Sequence, residues 1–411
     1  MEHIIFKHLV SFLDSNSFFS DVQHGFRRNF SCETQLLHLT NDLFLNLDSG
    51  YPTIAVFLDF AKAFDKVPHK LLLLKLSTLN IDAHVLIWIE SFLSQRRQYV
   101  YANNASSHVS AVSSGVPQGT VLGPLLFLIY INDLPLRITS VIRLFADDCV
   151  VYRKITTQDD LLILQADLLK ITDWCQNWKM SLNTNKCKCM RFSNSLAETN
   201  PTLLLDGTIL EYTDHYKYLG VHLSPNLSWN THINNIVQSA NRSLGYIRRN
   251  FRSVPNNLKR LLYVTLVRPK LEYASSIWHP HQSTLTDLIE SVQSRAARFI
   301  FSDYSRFSSV SLMKAHLDLP LLSSRRRISR LCLLHKVFYT PIFKQSLLNP
   351  PSYISARIDH PCKIARPQCL TLAHQKALLP SAIVDWNDLP ENLIGITDSG
   401  RFWDAITNYF M

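Results

Sequence analysis

Two aspartates stand side by side, Asp147 and Asp148, inside the apolar stretch Ile142-Arg143-Leu144-Phe145-Ala146-Asp147-Asp148-Cys149-Val150-Val151-Tyr152. Strand-forming residues flank the pair, so the pattern predicts strand, two-residue turn, strand, with both carboxylates at the tip. Asp-Asp lacks the glycine that such a turn prefers. When turn chemistry is sacrificed to bring like charges together, the usual compensation is a divalent cation with oxygen ligands, Mg²⁺ above all. A third carboxylate, Asp59, ends the apolar run 54–58, which reads as a buried strand. A carboxylate on the lip of a core strand and two on a hairpin can assemble a site for two metal ions roughly 3.5–4 Å apart. Such a site serves phosphoryl or nucleotidyl transfer, one ion activating a hydroxyl and the other steadying the departing phosphate oxygens.

The elements that must position these carboxylates follow from the flanking sequence. Gly115-Val116-Pro117-Gln118-Gly119-Thr120 reads as a loop: its glycines let the backbone approach a ligand, Pro117 stiffens it, and Thr120 can cap the apolar helix that follows. Helical patterns cover 84–93 and 159–179, and two more precede residue 51 around a Ser/Asn-rich turn at 15–20.

The order of strand-end Asp59, the 115–119 loop and the Phe145-Ala146-Asp147-Asp148 hairpin resembles the palm of reverse transcriptases, in detail those of LINE-type, non-LTR, jockey-like retrotransposons. The resemblance covers nearly the whole chain. Gln23-His24-Gly25-Phe26-Arg27-Arg28 is similar to the last fingers motif, and 57–65 to the first catalytic motif. Ser181-Leu182-Asn183-Thr184-Asn185-Lys186-Cys187 is similar to the next palm motif, and Tyr216-Lys217-Tyr218-Leu219-Gly220-Val221 to the primer-grip hairpin. Segments 268–278, 292–298 and 386–390 resemble the tail that follows the polymerase in these elements. The resemblance implies an α+β fold: a right-hand palm with an antiparallel sheet and helices, partial fingers, an α-helical thumb and a C-terminal tail. The implied divisions are a reverse-transcriptase domain at 1–224 (fingers 1–51, palm 52–224), a basic thumb-like region at 225–348 and a tail at 349–411.

It also implies RNA-directed DNA polymerase activity, with an RNA template, a DNA primer and dNTPs as partners. Asp59, Asp147 and Asp148 become catalytic carboxylates holding two Mg²⁺ ions, for which Mn²⁺ can substitute. Phe60, Phe64, Gln118, Gly119, Lys186, Arg27 and Arg28 become nucleotide-binding residues. Within that set, the Phe64 ring would clash with a 2′-hydroxyl, Lys186 would neutralise or protonate pyrophosphate, and the two guanidiniums suit phosphate oxygens. Tyr216, Tyr218, Leu219 and Gly220 become the primer grip. Plainer roles exist for several of these: a core phenylalanine, a loop amide, a surface lysine, aromatic strand residues in a core.

Composition agrees with a folded chain. Hydrophobic residues make up 46% and charged residues 18% of 411, enough for two or three domains with real cores. No apolar stretch is long enough for a membrane helix, which needs roughly 17–25 residues, and Glu2, Lys7 and His8 interrupt any signal-peptide pattern. Eight cysteines without a C-x-x-C pair fit a reducing, intracellular setting, nuclear or cytoplasmic. Charge is uneven: 241–340 holds 17 Lys and Arg against 5 Asp and Glu, while the remainder holds 25 against 27. Helical stripes in this segment would leave Arg248, Arg249, Arg252, Arg295 and Arg298 for solvent or for a nucleic-acid backbone.

One departure from the family pattern bears on activity. The resembled enzymes carry further fingers sequence before the Gly-Phe-Arg segment, and here 24 residues precede Gly25. The expectation is an N-terminally truncated enzyme, with a catalytically impaired nucleic-acid-binding remnant of a retrotransposon polyprotein as the alternative. Phe64 and the jockey-like tail argue against a viral RNA polymerase or an intron maturase.

Overall fold

Six consecutive buried residues, Thr53–Leu58, form the central strand β1 of a five-stranded sheet. A strand covered on both faces reads as a continuous apolar run rather than an alternating one. The others are β2 (Val141–Phe145), β3 (Asp148–Lys154), β4 (Lys188–Phe192) and β5 (Glu211–Tyr212), in the order β5-β4-β1-β3-β2. Pairing is antiparallel throughout except for the short β5, which lies parallel to β4. Strands and helices are segregated, as in the expected α+β class. The computed structural model describes residues 1–194, 200–355, 357 and 359–411.

Two helices set the sheet's surroundings. Leu122–Ile131 is apolar on all sides and nine of its ten residues are buried, as a helix enclosed by protein should be. Its start is closed by Glu2, whose carboxylate accepts from Val121 N at 2.9 Å and Leu122 N at 3.4 Å, placing negative charge on the helix's positive end. Thr120 serves the same turn, donating to Pro117 O and accepting from Gly123 N at 3.1 Å. Gln158–Asn177 opens on a Thr157/Asp160 capping box, and Asp160 also binds Arg153 of β3 at 2.9 Å.

The chain forms two units, Met1–Gln35 with Tyr51–Asp214, and Leu36–Gly50 with His215–Met411. In the second unit the hairpin Tyr216–Tyr218 with Val221–Leu223 is tied to Tyr273, whose hydroxyl donates to Leu219 O at 3.0 Å. The second unit also contains the segment expected as a separate tail. Its helix Leu322–Tyr339 packs against Leu378–Asn387 and Ser399–Phe410, with His335 stacked on Phe402 at 4.1 Å. Asp48, on the helix Cys32–Asp48, accepts from Leu370 N, Thr371 N and Oγ1, and His374 Nδ1 at 2.6–2.9 Å. Burial alone would raise its pKa, yet these hydrogen bonds hold it well below the carboxylate range.

Much of the basic segment's charge turns inward. Arg325 pairs with Glu272, Arg327 and Arg330 pair with Asp385, and Arg326 is 1% exposed. Among the described residues, no helix is long and apolar enough to cross a membrane.

Candidate active site

β1 and β3 run antiparallel with Leu58 opposite Cys149; Asp59 follows just beyond the end of β1, and Asp148 is the first residue of β3. Asp59 is fixed as the chain leaves the sheet: its carbonyl accepts from Asn183 N at 2.7 Å, and Ala61 N donates to Ser181 O at 2.8 Å. These bonds dock the 181–187 segment beside the strand end. They also bring Lys186 Nζ to 3.8 Å from Asp59 Oδ2, with the lysine side chain 70% exposed.

The hairpin differs from the expected one. Phe145 pairs with Asp148, so the two turn residues are Ala146 and Asp147, and Asp148 begins β3. Ala146 takes φ +55°, a conformation that normally favours glycine. Its surroundings supply what its own chemistry lacks. Gln23 Oε1 accepts from Ala146 N at 2.8 Å and from Gly25 N at 2.8 Å, while Gln23 Nε2 donates to Ala146 O at 3.3 Å. Gly25 permits the approach, since a β-carbon there would lie 2.3 Å from the Ala146 nitrogen.

The two hairpin carboxylates sense the charges around them. Burial raises the Asp147 pKa, with Asp59 adding to it, and burial followed by the charges of Asp147 and Asp59 pushes Asp148 up to about 6. The Asp148 residue is nonetheless open to solvent, so its carboxylate remains accessible to an ion or a substrate. An all-oxygen donor set in which like charges disfavour ionisation is suited to a hard divalent cation. Among the described residues, no three His, Cys, Asp or Glu side chains converge closely enough to hold an ion as they stand.

The other predicted residues divide by setting. Phe64 is half-buried and stacks on Phe127 at 4.3 Å. Gln118 is exposed and donates to Asp65 Oδ1 at 2.9 Å; Gly119, at φ +82°, has open space around its α-carbon. Phe60 is 4% exposed and its ring meets Trp174 edge-on at 6.4 Å, which gives it a core packing role. Arg27 is likewise committed within the fold: it donates to Ser20 O at 2.7 Å, lies 4.4 Å over the Phe30 ring, and burial lowers its pKa. Arg28 is exposed.

In the second unit, Tyr218 is buried, Leu219 takes φ +44°, and Gly220, at φ +83°, leaves no room for a β-carbon, which would meet Tyr273 Cε1 at 2.6 Å. Arg248, Arg249 and Arg252 are exposed around a cleft shared with Tyr304. Arg295 donates to Asn241 Oδ1 at 3.0 Å, and Arg298 to Ser305 O at 2.7 Å.

Residues 1–223 match the family model described as reverse transcriptase (RNA-dependent DNA polymerase). This chain belongs to the reverse transcriptase family. Reverse transcriptases use divalent metal ions, in keeping with the oxygen-rich strand ends. The chain is 28% identical over 317 residues to the RNA-directed DNA polymerase from mobile element jockey of Drosophila melanogaster, covering 73% of this chain and 34% of that protein. It is 30% identical over 314 residues to the jockey polymerase of Drosophila funebris, with the same coverage. The chain thus spans about a third of the length of these relatives. Among solved structures, apo telomerase from Candida Tropicalis is similar at 10% identity and a TM-score of 0.44, covering 79% of this chain and 54% of that one.

Two supports of the site, Gln23 and Glu2, are not evident from sequence. Gln23 belongs to the fingers-like motif, but its partner stands 123 positions away; for Glu2, no local signal marks a cap 119 positions ahead.

Proposed function

We propose that this chain is the polymerase part of a mobile-element reverse transcriptase, extending a DNA primer on an RNA template with dNTPs. What carries the proposal is the placement of Asp59 just past the end of β1, with Asp147 on the turn and Asp148 at the start of the neighbouring β3, in a chain of this family. Asp59, Asp147 and Asp148 would hold two Mg²⁺ ions, which supply hydroxyl activation and offset charge at phosphorus. In the reaction the primer O3′ bonds to the α-phosphorus of the dNTP, and the bond to pyrophosphate breaks.

The chain's own residues supply position and selectivity. The exposed edge of Phe64 rejects a 2′-hydroxyl, while Gln118 and Gly119 line the approach of the nucleotide. Lys186 neutralises charge on pyrophosphate, and Arg28 reaches triphosphate or template backbone. Tyr216, Tyr218, Leu219 and Gly220 hold the primer end, and Arg248, Arg249 and Arg252, with Arg295 and Arg298, bind duplex phosphates. Orientation of this kind accounts for several kcal/mol of a barrier.

Incubation of the purified chain with an RNA template, an annealed DNA primer, dNTPs and Mg²⁺ tests this directly. Extended primer is the expected product. Tight primer-template binding with no extension in either Mg²⁺ or Mn²⁺ would instead favour the catalytically impaired nucleic-acid-binding remnant.

A further inference from the structure

We propose that Gln23 is a positioning residue for Asp147: it holds both polar groups of Ala146 and so fixes the peptide from which Asp147 springs. This deepens the polymerase proposal and rests on it for its catalytic consequence.

The segment around Gln23 attaches to the hairpin as a one-residue parallel strand on the outer side of β2. His24 N donates to Leu144 O at 2.8 Å, and Leu144 N donates to Val22 O at 2.8 Å. This brings the Gln23 side chain, 2% exposed, against the turn. One carboxamide oxygen takes two amides, Ala146 N and Gly25 N, and the carboxamide nitrogen takes Ala146 O. A residue held by both its N–H and its C=O cannot rotate either flanking peptide.

The consequence passes along the chain. The Ala146 carbonyl belongs to the same planar peptide as the Asp147 N–H. Fixing the carbonyl therefore fixes the peptide plane from which the Asp147 backbone, and with it the root of its side chain, continues. It also holds a non-glycine residue at positive φ, a strained state that persists only when its surroundings over-determine it. Asparagine is too short to span the same three groups. Glutamate could accept from both amides but has no donor for Ala146 O and would bury a charge beside Asp147 and Asp148.

The test compares wild type with Gln23→Ala and Gln23→Asn, each first shown to be folded by near-UV circular dichroism. Amide hydrogen exchange across 142–150 is read without substrate. Loss of protection at Ala146 in both variants is expected, and unchanged protection in either would overturn the proposal. Single-nucleotide incorporation is the second readout. Gln23→Ala should lower kcat by about 10²-fold, with the dNTP KM and primer-template affinity within twofold of wild type and the Mg²⁺ midpoint raised. A folded Gln23→Ala chain with wild-type kcat and Mg²⁺ midpoint would sink the proposal while leaving the polymerase function intact. Should wild type itself fail to extend primers, the polymerase proposal falls alone and the exchange data still decide on Gln23. Should Gln23→Ala not fold, Gln23→Asn carries both readouts.

Discussion

Lys186 Nζ lies 3.8 Å from Asp59 Oδ2, a cation set beside a carboxylate proposed to hold a metal ion. The lysine is 70% exposed, so the pair adds less than about 1 kcal/mol to stability. Lys186→Met should leave urea unfolding nearly unchanged and lower single-turnover incorporation by about 10²- to 10⁴-fold, the range for loss of a proton-transferring group. A variant with wild-type incorporation would return Lys186 to the role of a surface lysine.

Phe64 serves two ends at once. Its ring stacks on Phe127 at 4.3 Å, so Phe64→Ala should cost about 1–3 kcal/mol in denaturant unfolding, less than a fully buried phenylalanine. The half-exposed ring should also govern the sugar. Ribonucleotide incorporation relative to deoxynucleotide on one template is expected to rise in the variant, and an unchanged ratio would leave Phe64 with packing alone.

The exposed arginines predict a salt dependence. Replacing Arg248, Arg249 and Arg252 with Gln should flatten the log-log plot of duplex affinity against salt by up to about 0.9 per lost B-form DNA phosphate contact. Arg295 and Arg298, already bonded to Asn241 and Ser305, should change it less when replaced. Equal slopes in wild type and the triple variant would place the duplex elsewhere.

Lys75 predicts a pH dependence of stability. Burial lowers its pKa, against the opposing pull of Asp133, from an ordinary 10.5 to about 8, with Nζ 3.7 Å over the Trp178 ring. Between pH 8 and 10.5 the unfolded chain keeps a proton that the native chain has released, so raising pH through this window favours the native state. The contribution is at most about 1.4 kcal/mol per pH unit. Urea unfolding of wild type and Lys75→Met at about pH 7.5 and 9.5, on either side of the native pKa, checks it: the variant should gain less on going to the higher pH.

What the sequence disclosed and what it withheld have a common cause. The placement of Asp59, Asp147 and Asp148 at strand ends is legible because each stands at the edge of an apolar run, where a carboxylate carries an electrostatic cost. The turn was misplaced by one residue because propensity favours glycine at positive φ, while Ala146 is sustained by Gln23, far off in the chain. Arg27 looked available to phosphate, yet its guanidinium is taken up by Ser20 and Phe30. The basic segment overstated its surface charge for the same reason: Arg325, Arg327 and Arg330 find Glu272 and Asp385 only once the helices pack. Local chemistry is read from local sequence, whereas a partner supplied by tertiary packing is not.

The polymerase proposal is tested most directly by single-nucleotide incorporation with Asp147→Asn beside wild type, under matched primer-template saturation. Wild type should incorporate, and the variant should fall to background while its fold and duplex affinity stay unchanged, because binding is assigned to the basic helices rather than to the hairpin. Incorporation by Asp147→Asn at a near wild-type rate would contradict the assignment of these carboxylates to catalysis.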